Sequence, residues 1–202
     1  MQASDRGTTG TLGLILAGGA GRRMGGAVKA ALELGDTPLI SRVAARLRPQ
    51  CAALAVASGP DPARLHRLLP EDAIALEDPI AGYAGPLAGL LAGLTCAKDR
   101  GLQDVLSAAV DTPFFPMDLG ARLFAHRGVA PVAIAATESG AHGTFGLWSV
   151  DVLPLLEDTL RAQAYKVMAF ADKAGFRLVP FEGEPFFNIN TPDDLAAAIL
   201  KL

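Results

Sequence analysis

Two cysteines, Cys51 and Cys96, are all that a chain of 202 residues contains. They have neither CxxC spacing nor the density of a disulfide framework. Free thiols in a cytoplasmic protein are therefore the expectation. Histidine is almost as scarce, and His66, His126 and His142 are scattered with no zinc-ligand spacing. No apolar run reaches membrane-spanning length, because Gly, Pro or charge breaks each candidate. Met1 to Gly10 is polar and too short for a signal peptide with its apolar region. Basic residues are not in excess: 18 Lys+Arg stand against 21 Asp+Glu, a net charge of -3. Non-specific nucleic-acid binding needs a large positive field, so that class is excluded. Only 19% of residues are charged against 50% hydrophobic, the reverse of a disordered composition. There is no internal repeat, no low-complexity tract and no linker that would demand two domains. The expected organisation is a short flexible lead-in over residues 1–10 and a single domain over 11–202.

What is present alternates. Leu12 to Leu16 is a compact apolar run that stops at Ala17-Gly18-Gly19, as a buried strand entering a glycine loop does. Pro38 to Leu47 places Leu39, Val43 and Leu47 at helical spacing, with Pro in the first turn. Strands are expected at Leu54 to Ala57, Ala73 to Leu76 and Val105 to Val110. Helices are expected at Pro62 to Leu69, Gly85 to Ala97 and Met117 to Ala125. Later strands fall at Val132 to Ala135, Thr144 to Val150 and Phe176 to Val179, with a turn-rich stretch from Glu138 to Gly143. Val152 to Thr159, Tyr165 to Ala171 and Thr191 to Leu200 read as helices. Thr191, Pro192 and Asp194 form a capping-box-like start to the last one. Strand and helix at such short intervals predict an α/β fold with a mostly parallel sheet and helices on both faces.

Ligands of such sheets bind beyond the carboxyl ends of the strands, and three loops there carry chemistry. The first runs from Leu16 through Gly18, Gly19, Gly21, Arg22 and Arg23 to Gly26, with Lys29 just after it. Glycines let backbone N–H groups turn toward phosphate oxygens, and the cations add charge-assisted contacts. Its order and spacing match neither a dinucleotide fingerprint nor a Walker A loop. The second loop carries Asp111, at the end of the Val105 to Val110 strand. A carboxylate there can hold Mg²⁺ against substrate phosphates, although alone it is equally a turn or capping residue. The third carries Asp78 and then Gly85 to Gly89, small residues that allow close approach of a planar base.

These segments, in order over nearly the whole chain, resemble the molybdenum cofactor guanylyltransferases, within the broader nucleotidyltransferase superfamily. The residues that carry the resemblance are Leu16 to Gly19, Arg23 to Gly26, Lys29, Pro38-Leu39-Ile40, Gly85 to Gly89, Asp111-Thr112-Pro113 and Asn188-Ile189-Asn190-Thr191-Pro192. The resemblance implies a three-layer α/β/α, Rossmann-like nucleotidyltransferase fold. It implies that GTP and molybdenum-molybdopterin give molybdopterin guanine dinucleotide and pyrophosphate. Nucleotide binding is then expected mainly in 11–115 and acceptor binding mainly in 116–202.

By the same resemblance, Leu16, Ala17, Gly18, Gly19, Gly21, Arg23, Lys29, Asp78, Gly85, Pro86, Leu87 and Asp111 would meet GTP. Arg23, Lys29 and Asp111 would act at the reacting phosphates, with Asp111 holding Mg²⁺. Asn188, Asn190 and His142 would lie on the pterin side; their plain alternatives are an Asx turn and a turn-forming histidine. A transient accessory GTP-binding protein and apo-molybdoenzymes are the implied partners. No nucleic acid and no membrane are expected. Val28, Ala57 and Gly143 depart from the family pattern, which has an acidic residue, an asparagine and often a proline at those places. Three alternatives stay open: a CTP-dependent molybdopterin cytidylyltransferase, a sugar-1-phosphate nucleotidyltransferase, and a non-catalytic nucleotide-binding protein that delivers the cofactor.

Overall fold

The computed structural model describes residues 9–18, 29–59, 65, 67–79 and 85–202. Nearly all of the 1–10 lead-in, all of 19–28, and half of the Pro62 to Leu69 segment expected to be helical lie outside the described residues.

Nine strands and six α-helices are described. The strands are β1 (Thr11–Leu16), β2 (Glu33–Leu34), β3 (Thr37–Pro38), β4 (Ala53–Ala57), β5 (Ile74–Leu76), β6 (Asp104–Ala109), β7 (Val132–Thr137), β8 (Gly140–Ser149) and β9 (Phe176–Pro180). The helices are α1 (Leu39–Leu47), α2 (Pro86–Asp99), α3 (Leu119–Arg127), α4 (Leu153–Arg161), α5 (Val167–Ala174) and α6 (Pro192–Ile199). Seven strands form one sheet in the order β5-β4-β1-β6-β8-β7-β9, and β2 with β3 forms a small hairpin. β8 is antiparallel to both β6 and β7, while the other pairings in the large sheet are parallel.

The sequence of β1 shows why the sheet is covered on both sides. Strand side chains alternate between faces. Leu12 and Leu14 pack with Leu87, Leu90 and Leu94 of α2, and with Leu156 and Phe170 of α4 and α5. Ile15, on the other face, packs with Ile40, Val43 and Leu47 of α1 and Leu119 and Leu123 of α3. A strand buried on both faces reads as a continuous apolar run, which TLGLIL is. The result is a three-layer α/β/α sandwich. Helix α2 lies close on the sheet because Gly89 and Gly93 face it. A Cβ on Gly93 would come within 2.6 Å of Leu14, and one on Gly89 within 2.9 Å of Ala57 and Leu16.

A third, smaller cluster of Leu34, Leu39, Ile189 and Ala198 packs α6 against the β2–β3 hairpin. Thr191 caps α6 by accepting from the Asp194 N–H, and Asp194 returns the bond, as the capping-box pattern predicted. The 138–143 stretch is less turn-rich than expected, since β8 already begins at Gly140 and pairs Gly140 with Thr137.

Two helix ends make a natural comparison. After α2, Gly101 takes φ 69°, with Gly101 N–H donating to Lys98 O and Leu102 N–H to Ala97 O. After α4, the same bond pattern runs from Gln163 to Leu160 and from Ala164 to Thr159, but the left-handed residue is Gln163 at φ 57°. A side chain in that conformation costs roughly 1–2 kcal/mol, of which the greater freedom of unfolded glycine returns part. Gln163→Gly is therefore expected to stabilise the protein by about 0.5–1 kcal/mol in urea unfolding. A loss of stability would show that the Gln163 side chain contributes more than the backbone strain costs.

Candidate functional site

The carboxyl ends of β1, β4, β5, β6 and β7 share one edge of the sheet. There the first loop leaves β1. Val110 N–H donates to Leu16 O at 3.1 Å, and Ala17 N–H donates to Ala57 O at 2.9 Å. The loop is thereby tied to the ends of β6 and β4, and the Ala17 N–H is spent inside the fold. The Ala17 side chain is buried, and Leu16 packs against the α2 face of the core. Any contact from Leu16 or Ala17 to a ligand is thus left to other backbone atoms.

Gly18 has a structural reason to be glycine beyond phosphate approach. A Cβ there would sit 2.9 Å from Gly59 Cα, and Gly59, at φ 74°, would meet Gly18 in return. Neither backbone can retreat without moving β1 or β4. Gly18→Ala is expected to destabilise the fold by about 1–3 kcal/mol, read as a lower denaturant midpoint. Gly19, Gly21, Arg22, Arg23 and Val28 lie outside the described residues.

Beyond β6, three distant side chains converge. Lys29 Nζ donates to Asp111 Oδ2 at 2.7 Å and to Asn190 Oδ1 at 2.6 Å. The Lys29 and Asp111 side chains keep only 14% and 18% of their exposure, so the pair is largely desolvated. Asp111 is fixed on its other sides too: Thr112 Oγ1 reaches its Oδ1 at 3.4 Å, and Ile189 N–H donates to its backbone oxygen at 2.8 Å. Asn188 is exposed, whereas Asn190 is half-buried and bonded into the cluster. The two asparagines therefore have different surroundings despite their spacing of two.

Asp194 stands behind Asn190. Its Oδ2 accepts from the N–H of Asn190 at 2.9 Å and of Thr191 at 2.8 Å. The Asn190 N–H foremost, then the other hydrogen bonds and the Lys29 charge, hold its carboxyl below the usual carboxylate range. The sequence signalled the cap but not this second bond.

Asp78 follows β5, with its Oδ2 4.0 Å from a Cβ placed on Gly59. Partial burial raises its pKa above the ordinary carboxylate value. Gly85, at φ 65°, turns the chain into α2, and among the described residues nothing lies within 4 Å of where a Cβ would stand. Pro86 opens the helix, and Leu87 is fully buried in the core. The expected approach of a base to the 85–89 segment is thus narrowed: Leu87 has only its backbone to offer, and Gly89 faces the sheet. Ala57 is buried against the same helix, which accounts for a small residue there.

His142 lies farther along the edge, with Thr137, Ser139, Glu184, Phe186 and Phe187, around a cleft of about 210 Å³. Its Nε2 is 2.8 Å from Thr137 Oγ1, and its ring packs on Phe186 at 4.5 Å. Burial lowers its pKa below the usual histidine value. A group harder to protonate in the folded state supports stability above its unfolded pKa of about 6.5 and loses that support as pH falls through the folded pKa. The parent is expected to lose more melting temperature between pH 7 and pH 5 than His142→Gln does. Parallel melting curves would contradict this.

Among the described residues no group of three His, Cys, Asp or Glu side chains gathers to hold a metal. What is there still suits a hard cation shared with substrate. One carboxylate and one amide oxygen, both hard donors, converge on a point spanned by the Lys29 ammonium. Mg²⁺ at phosphate sites takes one or two carboxylates and completes its shell with phosphate and water.

The mostly parallel sheet with helices on both faces is the fold of solved nucleotidyltransferases, and Lys29, Asp111 and Asn190 meet beyond its strand ends. The MobA-like NTP transferase domain model matches residues 13–175, and the chain belongs to that family. A molybdenum cofactor guanylyltransferase of Cereibacter sphaeroides is 45% identical over 188 residues, covering 92% of this chain and 94% of the relative. One from Mesorhizobium japonicum is 41% identical over 197 residues, covering 92% and 93%. Among solved structures, molybdopterin-guanine dinucleotide biosynthesis protein A of Archaeoglobus fulgidus shares the fold. Its TM-score is 0.73 at 23% identity, over 94% of this chain and 97% of that one. Among the described residues no helix is long and apolar enough to cross a membrane.

Proposed function

We propose that the protein transfers GMP from GTP to the terminal phosphate of molybdenum-molybdopterin, forming molybdopterin guanine dinucleotide and pyrophosphate. Close relatives of matching length bear that activity in their names. The observation that carries the reading is the cluster of Lys29, Asp111 and Asn190 beyond β6, next to the loop that leaves β1.

In the transfer, a phosphate oxygen of the pterin attacks the α-phosphorus of GTP. The bond from that phosphorus to the β-phosphate bridging oxygen breaks, and pyrophosphate leaves with the electron pair. A phosphate monoester is already a competent nucleophile, so the site needs positioning and charge neutralisation rather than a general base. Lys29 is the described cation for the triphosphate and for charge growing on pyrophosphate. Arg23 joins it by family resemblance. Asp111 and Asn190 would hold Mg²⁺, which supplies charge neutralisation at the phosphates. Gly18, Gly19 and Gly21 give the phosphates backbone room. Asp78, with backbone from Gly85 to Leu87, would hold the guanosine. Asn188 and the His142 cleft would face the acceptor. Residues 11–115 serve mainly the nucleotide and 116–202 mainly the acceptor, within one domain, with Asn190 reaching the cation site from the second half.

The test is anaerobic pyrophosphate release from GTP, CTP, ATP and UTP with Mg²⁺ and molybdenum-loaded molybdopterin, the product being identified by mass. GTP-selective formation of the guanine dinucleotide is expected. CTP selectivity would overturn the base and keep the chemistry. Product from a sugar 1-phosphate, with none from the pterin, would replace the acceptor. GTP binding without turnover of an authenticated acceptor would point to a delivery protein.

A further inference from the structure

We infer that Asp194 is a positioning residue for the transfer reaction: it holds the peptide of Asn190 so that the Asn190 amide oxygen meets Lys29 beside Asp111. The inference rests on the reading of that cluster as the phosphate and cation site. A capping box is complete when the third helical residue returns one bond to the cap residue. Here Thr191 N–H donates that bond to Asp194 Oδ2 at 2.8 Å, and Asp194 N–H donates to Thr191 Oγ1 at 3.1 Å. The same Oδ2 takes a second donor that the cap does not require, the Asn190 N–H at 2.9 Å.

The strip around it is equally determined. Ile189 N–H donates to Asp111 O at 2.8 Å, and the Ile189 side chain is fully buried with Leu34, Leu39 and Ala198. Three successive N–H groups, those of Ile189, Asn190 and Thr191, are thus tied to the two aspartates. Thr191 is extended, at φ -130° and ψ 163°, so α6 begins only after the strip. With its backbone pinned on both sides, Asn190 presents Oδ1 to Lys29 Nζ at 2.6 Å. The carboxylate also lies close enough for the Lys29 charge to act on it. Asp194 therefore joins the last helix of the chain to a cluster built from the ends of the first loop and β6. Supporting groups of this kind commonly affect ligand affinity through the residues they orient.

The test separates positioning from capping. Asp194→Ala removes both bonds from Oδ2. Thr191→Ala removes the reciprocal cap bond and leaves the grip on Asn190. Asp194→Glu restores the acid that capping boxes commonly use. Mn²⁺ affinity in the presence of GTP is read by electron paramagnetic resonance, thermal stability is read alongside it, and the Asn190 side-chain amide resonance is followed in the protein alone. Asp194→Ala is expected to weaken Mn²⁺ binding about 10–100-fold, while Thr191→Ala stays within about threefold despite a similar loss of melting temperature. Asp194→Glu should recover most of the affinity. The Asn190 resonance should shift and broaden in Asp194→Ala alone.

Equal Mn²⁺ affinity in the parent, Asp194→Ala and Thr191→Ala would leave Asp194 as a helix cap only and overturn the inference. So would equal losses in both variants, because the effect would then follow helix stability. If the parent binds neither GTP nor Mn²⁺ while the Asn190 resonance still responds to Asp194→Ala alone, the guanylyl-transfer reading fails and takes the catalytic part of the inference with it, leaving only the grip of Asp194 on Asn190.

Discussion

Asp111→Asn is expected to reduce guanylyl transfer by about 10²–10³-fold, with the protein still folded. Lys29 and Thr112 donate to different oxygens of Asp111, and asparagine keeps one oxygen, which can go on accepting from Lys29, so hydrogen bonding survives in part. What disappears is the negative charge opposite a largely desolvated ammonium. Lys29 is then left with neutral acceptors, an arrangement whose cost of about 1–3 kcal/mol should lower the melting temperature by roughly 2–10 °C. The loss of turnover is much larger than that instability can produce at the assay temperature. It should deepen as Mg²⁺ is lowered and be partly offset by raising it, because a weakened cation site answers to cation concentration. A pyrophosphate assay titrated with Mg²⁺, beside a melting curve, makes the comparison. Normal magnesium-dependent turnover in Asp111→Asn would remove Asp111 from the reacting centre.

Much of this geometry had a sequence signal, for identifiable reasons. Strand β1 was readable because both its faces are buried, which leaves one unbroken apolar run ending at glycine. Asp111 was readable because the β6 run stops just before it and a carboxylate at a strand end has few purely apolar uses. The cap of α6 was local chemistry at a spacing of three residues. The sheet order was not readable. Strands at β7 and β8 were expected, but apolar patterning carries no record of the partner, so nothing marked β8 as the antiparallel insert between β6 and β7. The meeting of Lys29 with Asn190, 161 residues apart, is likewise a product of topology; the asparagine was singled out by family resemblance alone.

Other glycine and leucine positions had two compatible meanings. Gly18 looked like phosphate room and is also a backbone contact with Gly59. Gly89 and Leu87 lay in a segment read as an approach for a base, yet both are buried, because the helix opens with a continuous run of buried small and apolar residues from Leu87 to Leu91. The second bond of Asp194 left no trace in the sequence, since a capping box with or without it has the same residues.

Removal of the lysine should produce two effects of opposite sign. Lys29→Met keeps the length and apolar stem of the side chain and deletes the ammonium. Turnover with GTP is expected to fall about 10²–10³-fold, since the described cation for the triphosphate is gone. Mn²⁺ binding to the protein without nucleotide should instead tighten, by about tenfold. The reason is geometric: the ammonium lies 2.7 Å from Asp111 Oδ2 and 2.6 Å from Asn190 Oδ1, and a metal cannot share those oxygens with it at that point. In the parent, a metal ion entering alone has to displace Lys29 into solvent. One arriving with nucleotide gives Lys29 phosphate oxygens in exchange. The lysine thereby favours joint binding of cation and triphosphate over binding of the cation alone. Measuring Mn²⁺ affinity with and without GTP in the parent and in Lys29→Met tests this directly, because the gap between the two conditions should shrink in the variant. Full turnover in Lys29→Met at saturating substrates would refute the triphosphate role. Unchanged or weaker Mn²⁺ binding without nucleotide would refute the competition.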